Sequence, residues 1–252
     1  ADDEGYRIHQ KTVTIGAQRE VSRNWFLGGA LSYAYGETTS SSDMSNHSDT
    51  FSGGLALKYN RTPWQAAVAV YGGVEQSRMS RSTLDGVAKS TPKSSFLASR
   101  LRLAYEFSQP SWYLRPYVDL DVNHIRQSGY QEEGSSLFDL KVHGNDTTSF
   151  MVSPMLEIGG RRNLANGSTL RAYLAGGASF LSGGDVVTTM ELSSLGSEPF
   201  SLKSGMPKTY ANLSAGLEYV TPKSLELKTE YSLRANGQYR DQSLTLRAAY
   251  HF

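Results

Sequence analysis

Two aspartates at alternate positions, Asp119 and Asp121, stand close in sequence to His124. Paired carboxylates beside an imidazole can move protons in a hydrolytic reaction. In an extended segment, however, side chains alternate between two faces. Asp119 and Asp121 then share a face with Arg115, while His124 falls on the other, which reads as a salt-bridge lattice and not a proton relay. Glu226, Lys228 and Glu230 alternate in the same way and read as a charged ladder, not a metal site. The five histidines (His9, His47, His124, His143, His251) have no ligand spacing, and no cysteine is present to hold a metal or form a disulfide. No Gly-x-Ser-x-Gly elbow or phosphate-binding glycine loop occurs. The expectation is a chain with no catalytic residue, no metal and no cofactor.

The elements that carry these side chains are strands. About eleven segments of roughly ten to fifteen residues alternate apolar and polar positions, long for a soluble sheet. The apolar sets include Val13, Ile15 and Ala17; Leu27, Leu31 and Tyr33; Leu55 and Leu57; Val68 and Val70; Leu101 and Leu103; Leu120 and Val122; Leu156 and Ile158; Leu170, Ala172 and Leu174; and Leu244, Leu246 and Tyr250.

Opposite them lie Lys58, Glu75, Arg100, Arg102, Glu106, Arg115, Asp119, Asp121, Glu157, Arg161, Arg171, Glu226, Lys228, Glu230 and Arg247, interleaved with small residues such as Ala67, Ala98 and Gly159. Charges of both signs at similar strand depths, with room between them, suit a wet barrel lumen better than the solvated face of a β-sandwich. A strand needs about nine to eleven residues to cross a bilayer at a tilt.

Composition agrees. The chain has 252 residues, 24 glycines, 15 tyrosines and a net charge of +1, which excludes a disordered chain and disfavours a nucleic-acid partner. Its mean hydropathy of −0.42 would suggest a soluble protein, but alternation of lumen and lipid residues cancels that average in membrane barrels. Short turns near residues 22–24, 60–63, 108–111, 164–168 and 221–223 alternate with long polar loops expected near 38–48, 80–93, 128–146, 183–208 and 234–241. That alternation is the arrangement of outer-membrane barrels, with tight periplasmic turns and longer external loops. Trp25, Tyr59, Trp64, Tyr105, Phe107, Trp112 and Tyr219 gather beside the short turns as an aromatic girdle at headgroup level.

In this order and spacing the chain resembles the C-terminal translocator β-barrel domain of autotransporters (type V secretion). The resemblance is carried by Gly16 ahead of the 24–35 strand, by Trp112-Tyr113-Leu114-Arg115-Pro116-Tyr117-Val118-Asp119-Leu120, by Tyr130-Gln131-Glu132-Glu133-Gly134 with Leu140 and Val142 following, and by the terminal strand with Tyr250 and Phe252. It implies a single domain over residues 1–252, all-β, a transmembrane antiparallel barrel of twelve strands whose pore holds a helix linked to a secreted passenger. It also implies that Leu244, Leu246, Tyr250 and Phe252 are a C-terminal signal read by the β-barrel assembly machinery. Eleven strands are visible, so either a first strand lies upstream of Ala1 or residues 183–208 contain another pair. The Trp-x-Arg-like segment that marks the family's first strand is not found before Gly5, which favours the upstream strand.

The expected function is therefore export and surface anchoring of an N-terminal passenger from the outer membrane of a Gram-negative bacterium. The expected partners are outer-membrane lipids, the assembly machinery, periplasmic chaperones and the chain's own passenger segment in the pore, with the barrel a monomer that binds no nucleic acid. A self-contained porin-like channel or an omptin-like outer-membrane enzyme is the alternative.

Overall fold

The computed structural model describes residues 6–40, 44–135, 137–193, 198–222 and 225–250. Eleven long strands follow one another: β1 (Tyr6–Ser22), β2 (Trp25–Ser40), β3 (Met44–Arg61), β4 (Trp64–Thr83), β5 (Lys93–Tyr105), β6 (Trp112–Gln127), β7 (Asn145–Asn163), β8 (Thr169–Gly183), β9 (Thr209–Val220), β10 (Leu225–Ala235) and β11 (Arg240–Tyr250). Each pairs antiparallel with the next, making one curled meander in sequence order. Their lengths run from 11 to 20 residues, longer than the apolar alternation alone suggests. Among the described residues β1 and β11 are the two edges and do not pair. With eleven antiparallel strands these edges run in the same direction, so a strand antiparallel to both is what would complete an all-antiparallel ring.

The burial pattern inverts that of a soluble protein. Val13 and Ile15 are each 69% exposed, and Leu31, Phe51, Leu55, Leu103, Phe150, Leu156, Ile158, Leu244 and Leu246 are exposed as well. The enclosed residues include Asp119 at 6%, Asp121 at 5% and Glu157 at 7%. In a single curled layer only the concave face can be enclosed, so the charged face is inside and the apolar face is outside. Water would penalise such an exterior at about 25 cal/mol per Å² of apolar surface; hydrocarbon does not. The curl also answers the backbone requirement, since every strand but the two edges has both ladders satisfied, as lipid demands.

Three of the expected long loops are largely strand. β2 runs to Ser40 and β3 begins at Met44, so only residues 41–43 separate them, and the 234–241 loop narrows to 236–239. Residues 80–93 form the end of β4 and a returning strand, Gly86–Ser90, paired with it. These extensions carry polar side chains on both faces. They therefore show no alternation by which sequence could reveal them.

The other two long loops do exist, and they form a second sheet together. Its order is Phe200–Ser204, Val186–Leu192, Leu140–Val142 and Tyr130–Gln131. Residues 183–208 thus do contain a strand pair, Val186–Leu192 with Phe200–Ser204, but it belongs to this outer sheet and adds no strand to the meander. On one face of the sheet Lys141 bonds Glu191 at 2.8 Å, and that bond holds the Glu191 carboxyl below the usual carboxylate range. A hydrogen bond from Lys208 does the same for Asp185.

The loop after β6 is tied back to β4. Arg81 donates to both oxygens of Glu132, at 3.3 and 2.5 Å, and to the Phe138 carbonyl at 2.9 Å. Glu132 also accepts from the Leu140 amide at 3.1 Å, and backbone bonds join Lys89 to Glu133 at 2.9 Å. Gly134 has φ +119, and a Cβ there would lie 2.5 Å from the Val87 carbonyl oxygen, so this crossing needs glycine. Arg81→Ala leaves Glu132, 7% exposed, without its cation. We expect limited proteolysis of the purified variant to cut within residues 128–144 at least several-fold faster, while the rest of the meander resists; equal cutting rates would disprove this tie.

Candidate functional site: the charged inner face

Register decides how the inner charges meet. β5 and β6 place Arg100 directly opposite Asp121, and Arg102 opposite Asp119. Arg100 donates to Asp121 at 2.6 and 3.3 Å, and Arg102 to Asp119 at 2.6 and 2.7 Å. These are two-pronged guanidinium–carboxylate pairs, a geometry that adds directional fit to charge. His124 is exposed on the opposite face and bonds Thr148 at 2.9 Å. The Asp–Asp–His group is therefore not assembled, and each aspartate is occupied by an arginine.

Toward the short turns the pairs merge into a network. Arg115 on β6 bridges Glu106 and, at 3.1 Å, Glu157 on β7. Arg161 reaches Glu106 at 3.0 Å. Arg171 on β8 bonds Glu157 at 3.0 Å and approaches Glu218 on β9 at 3.6 Å. Tyr113 sits at the centre, 1% exposed, donating to Glu157 at 2.6 Å and accepting from Arg171 at 2.8 Å. Further round, Glu230 on β10 accepts from Tyr173 and holds Lys228 at 2.8 Å, and Arg247 on β11 lies 3.6 Å from Glu226. Glu75 accepts from Thr50 at 3.1 Å. Lys58 on β3 stands apart from these pairs. Shared enclosed charges of both signs stabilise one another only when all are satisfied.

The residues expected on the inner face sit at alternate strand positions, with Glu106 just past the end of β5. Sequence reasoning missed three: Glu218, which alternation between Leu217 and Tyr219 would have found, and the tyrosines Tyr113 and Tyr173. The tyrosines look like ordinary strand aromatics until register is known. Tyr113 pairs with Gly159 and Tyr173 with Gly216 on the next strand. Each ring lies over its glycine, where an added Cβ would come within 2.3 and 2.4 Å. Among the described residues no group of three or more histidines or carboxylates is placed to hold a metal.

On the outer face, the aromatics beside the short turns interlock. Trp25 and Tyr59 have ring centroids 5.0 Å apart; Trp64 and Tyr105, and Tyr105 and Phe107, are 4.8 Å apart. Trp112 is exposed beside them, and Tyr219 bonds Ser168 at 3.0 Å across the 164–168 turn. Leu244 and Leu246 face outward on β11; Phe252 lies outside the described residues.

An enclosed charged face inside an apolar antiparallel meander defines an outer-membrane barrel. Residues 1–232 match the family model "Autotransporter beta-domain", and the chain belongs to that family. Similar solved structures are the translocator domain of the autotransporter NalP from Neisseria meningitidis (TM-score 0.78, 15% identity, 98% of this chain and 82% of that one) and the β-domain of the Bordetella autotransporter BrkA (TM-score 0.70, 18% identity, 100% and 94%). The transport unit of AIDA-I from Escherichia coli is also similar, with TM-score 0.62, 12% identity and coverage of 100% and 86%. Esterase EstA of Pseudomonas aeruginosa is 23% identical over 261 residues, covering all of this chain and 39% of that protein. The chain thus spans about two fifths of the curated relative's length. It is a translocator barrel of the Gram-negative outer membrane.

Proposed function

We propose that this barrel assists export of a passenger polypeptide joined to its N-terminal side, and then anchors or releases that passenger at the cell surface. The inverted burial is the observation that carries this reading: a continuous charged inner face offers water-like contacts to a polypeptide, while lipid holds the outside. The role is positional, and the domain contributes no chemical step. The word esterase belongs to EstA, most of whose length lies beyond the matched region. In this reading a twelfth strand, antiparallel to β1 and β11, closes the ring and the pore holds the passenger linker; the fifteen inner residues line the lumen and Trp25, Tyr59, Trp64, Tyr105, Phe107, Trp112 and Tyr219 form the periplasmic girdle. The domain occupies residues 1–252 as one unit and works as a monomer. Periplasmic chaperones and the assembly machinery deliver it, the latter reading Leu244, Leu246, Tyr250 and Phe252.

The test is surface exposure of the passenger in the full-length protein. Protease added to intact cells should remove the passenger when this domain is present and find none at the surface when it is deleted. A purified chain that stays monodisperse without detergent would refute the membrane reading outright. Deleting Phe252 should lower the amount inserted without changing the heat-modifiable gel shift of what does insert. Wild-type surface levels in that variant would exclude the signal role.

A further inference from the structure

We propose that Lys58 is a docking point for a carboxylate on the polypeptide occupying the lumen. Lys58 is half-buried on the inner face of β3. Its cross-strand neighbours are Phe26 on β2 and Ala67 on β4, neither of which offers a side-chain acceptor. Among the described residues Lys58 makes no hydrogen bond or ion pair. Burial is the main penalty on its ammonium, and Arg115 on β6, Arg171 on β8, Arg247 on β11 and Glu218 on β9 all act on it, so side chains from separated strands converge on this part of the lumen.

The nearby carboxylates are committed elsewhere. Glu106 and Glu157 hold Arg115, Glu218 holds Arg171, Glu226 holds Arg247 and Glu230 holds Lys228. A half-buried ammonium without a partner of its own is unfavourable, and an incoming anion would relieve it. In the translocator reading the lumen carries a polypeptide, whose anionic group is an Asp or Glu side chain. Beyond Phe26 the wall around Lys58 is small, with Gly28, Ala56, Ala67 and Ala69 on the inner parity, leaving room for a backbone to approach. One carboxylate held there would fix the depth of a lumen segment.

This inference rests on the translocator reading, and the experiment separates the two. Full-length protein in outer-membrane vesicles is treated with a water-soluble carbodiimide, which joins a lysine to a touching carboxylate as an amide. Mass spectrometry should find Lys58 joined to an acidic residue outside residues 1–252, with the Lys228–Glu230 pair coupling as the internal control. Lys58→Arg should abolish that amide while the Lys228–Glu230 amide and the gel shift of the barrel are kept. Lys58→Glu should slow passenger appearance at the surface by about tenfold, the worth of one charge-assisted contact, with the gel shift of the barrel unchanged. An amide to Glu218 or Glu226, no amide while the control couples, or wild-type export by Lys58→Glu would overturn the docking role. Free acetate at high concentration should not suppress the amide; if it does, Lys58 is only a general anion site. Absence of surface passenger in the wild type would instead overturn the translocator reading.

Discussion

Leu103→Arg is expected to be a damaging change on the outer face, costing about 1–3 kcal/mol of stability in the membrane, between the interface and midplane costs. Leu103 lies on β5 opposite Val118 of β6, is exposed, and is the first outward-facing position inside the aromatic Tyr105 at the end of the strand. An arginine there must leave water for hydrocarbon, with only partial relief from reaching toward the interface. The neighbouring Arg102 points the other way, so Arg102→Leu makes no new demand on lipid. It is not neutral, however, because it strips Asp119 of both bonds and leaves an enclosed carboxylate unpaired. Removing the whole pair, as in Arg102→Leu with Asp119→Leu, should recover most of the loss. Urea unfolding in lipid vesicles, followed by the heat-modifiable band, should rank Leu103→Arg below the double variant. Equal midpoints for the two would sink the assignment of faces.

Gly159→Val should disrupt the interior more than its size suggests. The Tyr113 ring covers Gly159, and a Cβ would lie 2.3 Å from it. The ring must move, and with it go the bond to Glu157 and the bond from Arg171. Overpacking costs about 1–3 kcal/mol, and loss of hydrogen bonds to charged groups adds roughly 1.5–3 kcal/mol. Gly159→Val with Tyr113→Ala should relieve the clash but not restore the bonds, recovering only part of the loss. The same vesicle unfolding assay reads both variants. A single variant as stable as wild type would show that the ring can leave Gly159 without cost.

Much of the architecture was legible because a strand's side chains alternate with period two. That period assigns Leu103 and Arg102 to opposite faces without any knowledge of neighbours, and it assigned the fifteen inner charges in the same way. The family resemblance rested on the order of such strands and on a few loop residues. Alternation fails where both faces carry polar side chains, which is why the extensions of β2, β3 and β4 beyond the apolar span read as loops. It also says nothing of which residue faces which across the ladder. Only register shows that Arg102 meets Asp119, that Tyr113 covers Gly159, and that Val186–Leu192 pairs into an outer sheet. Lys58 illustrates the division most plainly. Its place on the inner face follows from its position in the chain, but its nearness to charged groups of β6, β8, β9 and β11 is a property of the curl, because strands far apart in sequence share one lumen only once the sheet has bent.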